Sequence, residues 1–410
     1  MLLLAASCAS AAPADAATGT WNLNPLNGDW NEPSNWSSRT VPNGPMDVAV
    51  FGLSAFTSVF LSANTEVEGM VFNAGASGYT ITVNPTRALT ISGAGLVNIS
   101  GTSQTLVAGV DPSGAVGSIT FTNRATVGSS TTLISNGSLA RNADGATIAF
   151  RNASSPGEGT LRANGSPVDA GRGGTIKFFE TSSAGRADLT ANPGAVSGGH
   201  WGAIHFYDKS TAAQAIITTK GGFFGGNPPD VGGTVTFHNE AIAAESLITN
   251  QAGSAAGAGG GGTGFLDNSS AGTATIINNG GASDFTYGGS VGFANNSSAG
   301  NSLIVNNGGK VPISIGGSTR FSGSSSAGAA TLIANAGKGQ GPQGGGWVEF
   351  DGDSTGGTAR LAVFGNAFLD IRQHNAPGLT IGSLKGQVWS TSALTTFRLA
   401  ATTQAPSSPE

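Results

Sequence analysis

The chain has 410 residues, of which 66 are Gly, 10% are charged and 7% are aromatic, with a net charge of −5 and a single Cys. Its Lys and Arg are scattered over an acidic background, which excludes a nucleic acid or an anionic membrane as partner, since either needs clustered cations. Charge this far below the roughly 25% of an ordinary domain, with apolar residues at a fixed period, predicts stacked strands and turns rather than disorder.

Residues 1–17 read as a signal-peptide-like segment. Met1 to Ala12 is apolar and small, and Ala14-Asp15-Ala16 has the small-x-small form of a cleavage site. No basic residue precedes the run, so the true initiator is expected upstream and the segment is read as incomplete. The run is too short to span a bilayer. Cys8 follows Ala5-Ala6-Ser7, an imperfect lipoprotein box, which leaves lipidation as an alternative. If Cys8 leaves with the segment, the mature chain has no thiol and draws its stability from a stacked core.

Residues 18–60 are rich in Trp and Asn and lie outside the period that follows. Trp21, Trp30 and Trp36 are predicted to cap the first coil, because a solenoid must cover its open edge.

Residues 61–385 are a repeat domain. Phe121, Phe150, Phe178, Phe206, Phe237, Phe265, Phe293, Phe321 and Phe350 recur at intervals of 28 to 31 residues. Two positions before each stands Ile119, Ile148, Ile176, Ile204, Val235, Thr263, Val291, Thr319 or Val348, and two earlier again a Gly. Apolar residues at i and i+2 share one face of a strand. A second apolar pair follows, such as Leu247-Ile248 or Ile276-Ile277, and reads as a second strand. Between the two lies turn chemistry, Ser182-Ser183-Ala184-Gly185 and its copies at 269, 297 and 325. After the second strand an Asn recurs at 136, 164, 192, 250, 279, 307 and 335, predicted to stack as an amide ladder. A third short strand is expected to close each coil, with Val311-Pro312-Ile313-Ser314-Ile315 as its candidate. The fold class is therefore all-β, a right-handed parallel β-helix of about nine 28-residue coils plus an N-terminal capping region. Residues 386–410 are a non-repetitive tail, expected to mark a truncation or frame interruption.

Few residues carry candidate chemistry. Phe179, Tyr207 and His238 each follow a core Phe and are predicted to stack outward in one column, a candidate ligand-binding surface for sugar or protein. His200, Trp201 and His205 lie nearby in sequence, but the three His do not share a column, which argues against zinc. Glu349 and Asp351 are expected to face solvent together, a spacing open to an acid and base or to Ca²⁺, yet the preceding coil offers Arg320 and Ser322 instead of more acid. The Gly-rich run at 257–262 fits a dinucleotide motif only by composition, and no helix follows it. No catalytic residue, metal site or cofactor is predicted.

The elements Gly28-Asp29-Trp30, Asn35-Trp36-Ser37, Val41-Pro42-Asn43 and Asp47-Val48-Ala49-Val50-Phe51, with the later Gly378-Leu379-Thr380-Ile381-Gly382-Ser383-Leu384, resemble bacterial proteins with autotransporter-associated β-strand repeats. The resemblance covers most of residues 20–385. It implies an exported passenger displayed on, or released from, a Gram-negative surface, without direct membrane insertion by this chain. A C-terminal barrel and a sorting helix, which the family carries, are not recognised in this sequence.

Three functions follow as expectations. The first is a non-enzymatic, surface or secreted, structural or adhesive passenger whose partner is a glycan or a host or neighbour-cell surface. The second is a β-helix polysaccharide lyase or hydrolase, which would need titratable groups converging on one groove. The third is a surface-templating, ice-binding-like solenoid, which would need a flat regular Thr array.

Overall fold

The computed structural model describes residues 16–225, 231–339, 342–386 and 396–399. Cys8, nearly all of the export segment and most of the tail lie outside the described residues. The chain is a right-handed parallel β-solenoid of about 12 turns. Among the described residues two long sheets have 14 and 13 strands, each strand hydrogen-bonded to its counterparts in the turns before and after, and Gly378–Ile381 pairs with Thr396–Leu399 in a separate two-stranded sheet. At the usual rung spacing this is a rod roughly 60 Å long.

All nine repeat Phe rings are buried, and they form one continuous stack. Successive centroids lie 4.6 Å (Phe178–Phe206) to 5.0 Å (Phe150–Phe178) apart, with interplanar angles of 5° to 11°. The Ile/Val column beside it is buried as well. In-register pairing such as Ile148↔Ile176 and Phe150↔Phe178 puts like on like, because a one-residue slip would turn every apolar side chain to solvent.

The turn count corrects the nine coils read from Phe spacing. In the long, bulged strands Thr65–Phe72 and Ala88–Asn98, the Phe column is continued by Val67 and Ile91, which lies opposite Phe121. Phe51 and Phe72 stack in a separate column, 5.1 Å apart. Counting Phe alone misses these turns, as it misses the one at Phe368–Asp370.

The third side differs from expectation too. Val311 to Ile315 is not a strand, and Ile313 is half-exposed. Its turn closes without it, because the Gly317 N–H donates to the Asn307 carbonyl at 2.8 Å and pinches the core shut. The same neck recurs where Gly174, Gly202, Gly233, Gly261, Gly289 and Gly346 precede their strands. A Cβ at Gly289 would press into the main chain of Asn250, so these glycines are required by close approach. The residues between neck and neck form a Gly-rich lobe outside the core. The core's third ladder is the Ser-Ser-Ala-Gly turn, where single parallel bridges link Ser183, Thr211, Ile242, Ser270, Ser298, Ser326 and Thr355 in succession.

Two columns of left-handed residues turn each coil. One is the turn Gly, as at Gly185, Gly272 and Gly300. The other, just past the Phe strand, runs Asn123, Asn152, Glu180, Asp208, Asn239, Asp267 and Asn295. There the side chain of one turn accepts the backbone N–H of the turn before, as Asp208 does from Glu180 at 2.8 Å. Asn and Asp tolerate the left-handed region and supply an acceptor there, which explains most of the column.

At the N-terminal end, Thr18–Thr20 and Gly44–Phe51 head the longer sheet. Trp21, Trp30 and Trp36 are buried against Phe51, with centroids 5.6 to 6.2 Å from it.

Candidate functional site

Phe179, Tyr207 and His238 follow the inward Phe178, Phe206 and Phe237, where the strands end and the chain turns outward. They form one column. Phe179 and Tyr207 stack at 5.0 Å and 9°, and Tyr207 and His238 at 4.5 Å and 12°. The Arg151 guanidinium covers the outer face of Phe179 at 4.3 Å. Ring faces are thus largely spent on one another and on a cation. A ligand would meet the column edge-on, through the Tyr207 hydroxyl and the imidazole nitrogens.

His205, on the strand Ala203–Phe206, leans into this column. Its Nδ1 lies 3.3 Å from His238 Nε2, so in the neutral pair one nitrogen donates and the other accepts. Burial, then the His238 and Lys177 charges, push the His205 pKa down to about 4. Burial also lowers His238 and raises the Tyr207 phenol. Residues far apart in sequence periodicity, His205 and His238, therefore meet across neighbouring turns. His200 instead pairs with Trp201, whose Nε1 donates to Thr234 Oγ1 at 3.0 Å. No group of three metal-ligating side chains gathers among the described residues.

The acidic pair is arranged differently from expectation. Glu349 faces outward, but Asp351 is only 7% exposed, because the chain turns after Phe350 and strand alternation no longer applies. Arg320 of the preceding turn donates its Nε to Asp351 Oδ2 at 2.7 Å and lies 3.8 Å from a Glu349 oxygen. Burial, followed by the Asp351 charge, raises the Glu349 pKa, while Arg320 opposes the shift. Asp370 stacks below Glu349 and is held low by its hydrogen bond from Arg372. The cluster is a charge network bridging three turns.

Two amide ladders exist where the sequence suggested one. The outward ladder runs Asn136, Asn164, Asn192, then Asn279, Asn307, Asn335, with Asn164 Nδ2 donating to Asn136 Oδ1 at 3.0 Å. Asn250 does not belong to it, and Gln251 holds that position. Asn250 instead faces the interior with Asn278 and Asn306, all fully buried; Asn250 Nδ2 donates to Asn278 Oδ1 and Asn278 Nδ2 to Asn306 Oδ1, each at 2.7 Å, and Asn306 Nδ2 to the Trp347 carbonyl at 2.8 Å. The signal was present in the sequence, since the column facing these Asn residues exchanges Ile or Val for Thr at 263 and 319.

A separate groove lies between the outward Asn136, Asn164 and Asn192 and the Gly-rich lobe. It encloses about 690 Å³, and its lobe wall is Leu139, Pro167, Ala195 and Phe223. Comparison of the chain with protein-family models, with characterised proteins and with solved structures gives no match.

Proposed function

We propose that this protein is a non-enzymatic, exported passenger-type β-solenoid, a rod that carries a structural or adhesive surface away from a bacterial cell. The observation that carries the reading is the uninterrupted Phe stack, which makes one stiff body of many turns with side-chain columns along its faces. The resemblance of the opening block and of Gly378 to Leu384 to autotransporter-associated repeat proteins supports export. The pairing of Arg320 with Asp351 supports a structural rather than catalytic role for the acidic cluster. The column Phe179, Tyr207 and His238 is the surface offered to a glycan or a neighbouring cell.

Protease shaving of intact producing cells, followed by immunodetection, tests display. Release of the rod under conditions that spare cytoplasmic markers is the expected result, and full protection would refute it. Glycan-array binding of the purified chain, compared with a Tyr207→Ala, His238→Ala variant, tests the surface. Reducing-sugar release that disappears in Glu349→Gln would replace this reading with a polysaccharide-cleaving enzyme.

A further inference from the structure

We infer that the groove between the outward Asn ladder and the Gly-rich lobe is a binding site for an uncharged linear oligosaccharide. The floor is Asn136, Asn164 and Asn192, one amide per turn. The ladder uses one N–H of Asn164 and one of Asn192, so each keeps a second N–H, and Asn136 Nδ2 donates to no group among the described residues. The floor is therefore a row of hydrogen-bonding groups at a repeat of roughly 4.8 Å.

The wall is apolar. Leu139, Pro167, Ala195 and Phe223 occupy equivalent places on successive lobes, as shown by Ser166 Oγ donating to the Ser138 carbonyl at 2.9 Å and the Ala195 N–H to the Ser166 carbonyl at 2.9 Å. Apolar wall and amide floor match the two chemistries of a pyranose chain, whose rings carry C–H faces and hydroxyl edges. The floor amides end one turn before the wall. Lys220 takes the next floor position, in the turn whose wall residue is Phe223, and the wall then becomes Ser254, Ala282 and Lys310, so the site spans three to four turns, or roughly 15–20 Å.

Charge and backbone chemistry select the class. No residue lining the groove is charged and Lys220 stands only at its end, which disfavours an anionic polysaccharide along its length. An added peptide strand needs free main-chain groups at a sheet edge. Here the floor's own N–H groups are spent between turns, Asn164 on Ser135 and Asn192 on Ala163, each at 2.9 Å. The site is separate from the aromatic column and does not depend on it.

The test is calorimetric titration of the full chain with cello-, malto- and laminari-oligosaccharides of increasing length, beside oligogalacturonate and an extended hydrophobic peptide. A neutral oligosaccharide should bind, with affinity that rises from disaccharide to tetrasaccharide and then levels. Ala195→Trp, at an exposed position, should fill the groove and weaken binding at least about tenfold, or ~1.4 kcal/mol, without lowering the melting temperature. Phe223→Ser should weaken it with the fold equally intact, so loss of binding cannot be laid to misfolding. Absence of binding by every neutral hexasaccharide at millimolar concentration overturns the inference, as does binding only of the anionic chain or the peptide. Binding that survives Ala195→Trp but is lost in Tyr207→Ala, His238→Ala also overturns it, and leaves the aromatic column standing as the ligand surface.

Discussion

Thr263 Oγ1 donates to Asn250 Oδ1 at 2.8 Å inside the rod, so a polar residue in one buried column is matched by a polar residue in the column facing it. The match recurs between Thr319 and Asn306 at 2.9 Å. Asn278, between them, accepts from Asn250 and donates to both Asn306 and the Ser318 carbonyl. Replacing Asn278 by Leu keeps the branched shape but strands Asn250 Nδ2, which costs ~1–3 kcal/mol when buried without a partner. Urea unfolding should show this loss for Asn278→Leu and almost none for Asn335→Ser in the half-exposed outward ladder. Equal effects at the two sites would mean the interior network adds nothing.

Gly289 and Gly292 lie three residues apart and should answer oppositely to the same change. A Cβ at Gly289 would drive into the Asn250 carbonyl, whereas one at Gly292 meets nothing within 4 Å. Gly289→Ala should destabilise by ~1–3 kcal/mol or more, as overpacking does. Gly292→Ala should be neutral or stabilise by ~0.4–1 kcal/mol, by reducing the freedom of the unfolded chain. Thermal melts of the two variants decide it, and a tolerant Gly289 would show that the neck between the sheets is loose.

The large features were legible because they repeat with bulk. Phe121 through Phe350 and their Ile/Val neighbours give a period that only a stack explains, and the turn Gly at 185, 272 and 300 has the positive φ its setting suggested. What was not legible depends on where the chain leaves the core. Val311 to Ile315 alternates like a strand, but the Gly317-to-Asn307 neck puts it outside, where alternation has no interior to face. Asp351 was placed on the wrong side for the same reason, one residue past the strand end. The groove is assembled from single residues 28 apart, Leu139, Pro167, Ala195 and Phe223, whose varied chemistry hides their common position.

His205 makes stability depend on pH in a stated direction. Its folded pKa of about 4 lies below the ordinary 6.5, so the unfolded chain takes up a proton first as pH falls. Its contribution is full above the unfolded value and is lost progressively between about pH 6.5 and 4. Glu349, raised by burial, acts with the opposite sign toward its own range, so the comparison must be made by difference. Melting temperatures of wild type and His205→Thr, the residue found at Thr236 in the matching position of the next turn, should converge as pH is lowered through this window. Parallel curves would show that the imidazole remains open to solvent protons.

The N-terminal block should decide whether the rod stays a monomer. Trp30 and Trp36 are fully buried, Trp36 Nε1 donates to the Trp30 carbonyl at 2.6 Å, and both rings pack on Phe51, which stacks on Phe72 and meets Tyr79 edge to face. Removing residues 16–56 would uncover Phe72 and Tyr79 together with the unpaired edge of Thr65–Phe72, the arrangement that templates strand addition from another molecule. Sedimentation velocity of that deletion should show association growing with concentration. The milder Trp36→Ala should stay monomeric at low temperature and lose ~3–5 kcal/mol, as large-to-small core changes do. A deletion that sediments as an unchanged monomer would mean the strand Thr65–Phe72 protects its own edge, and that the three Trp residues stabilise the end without guarding it.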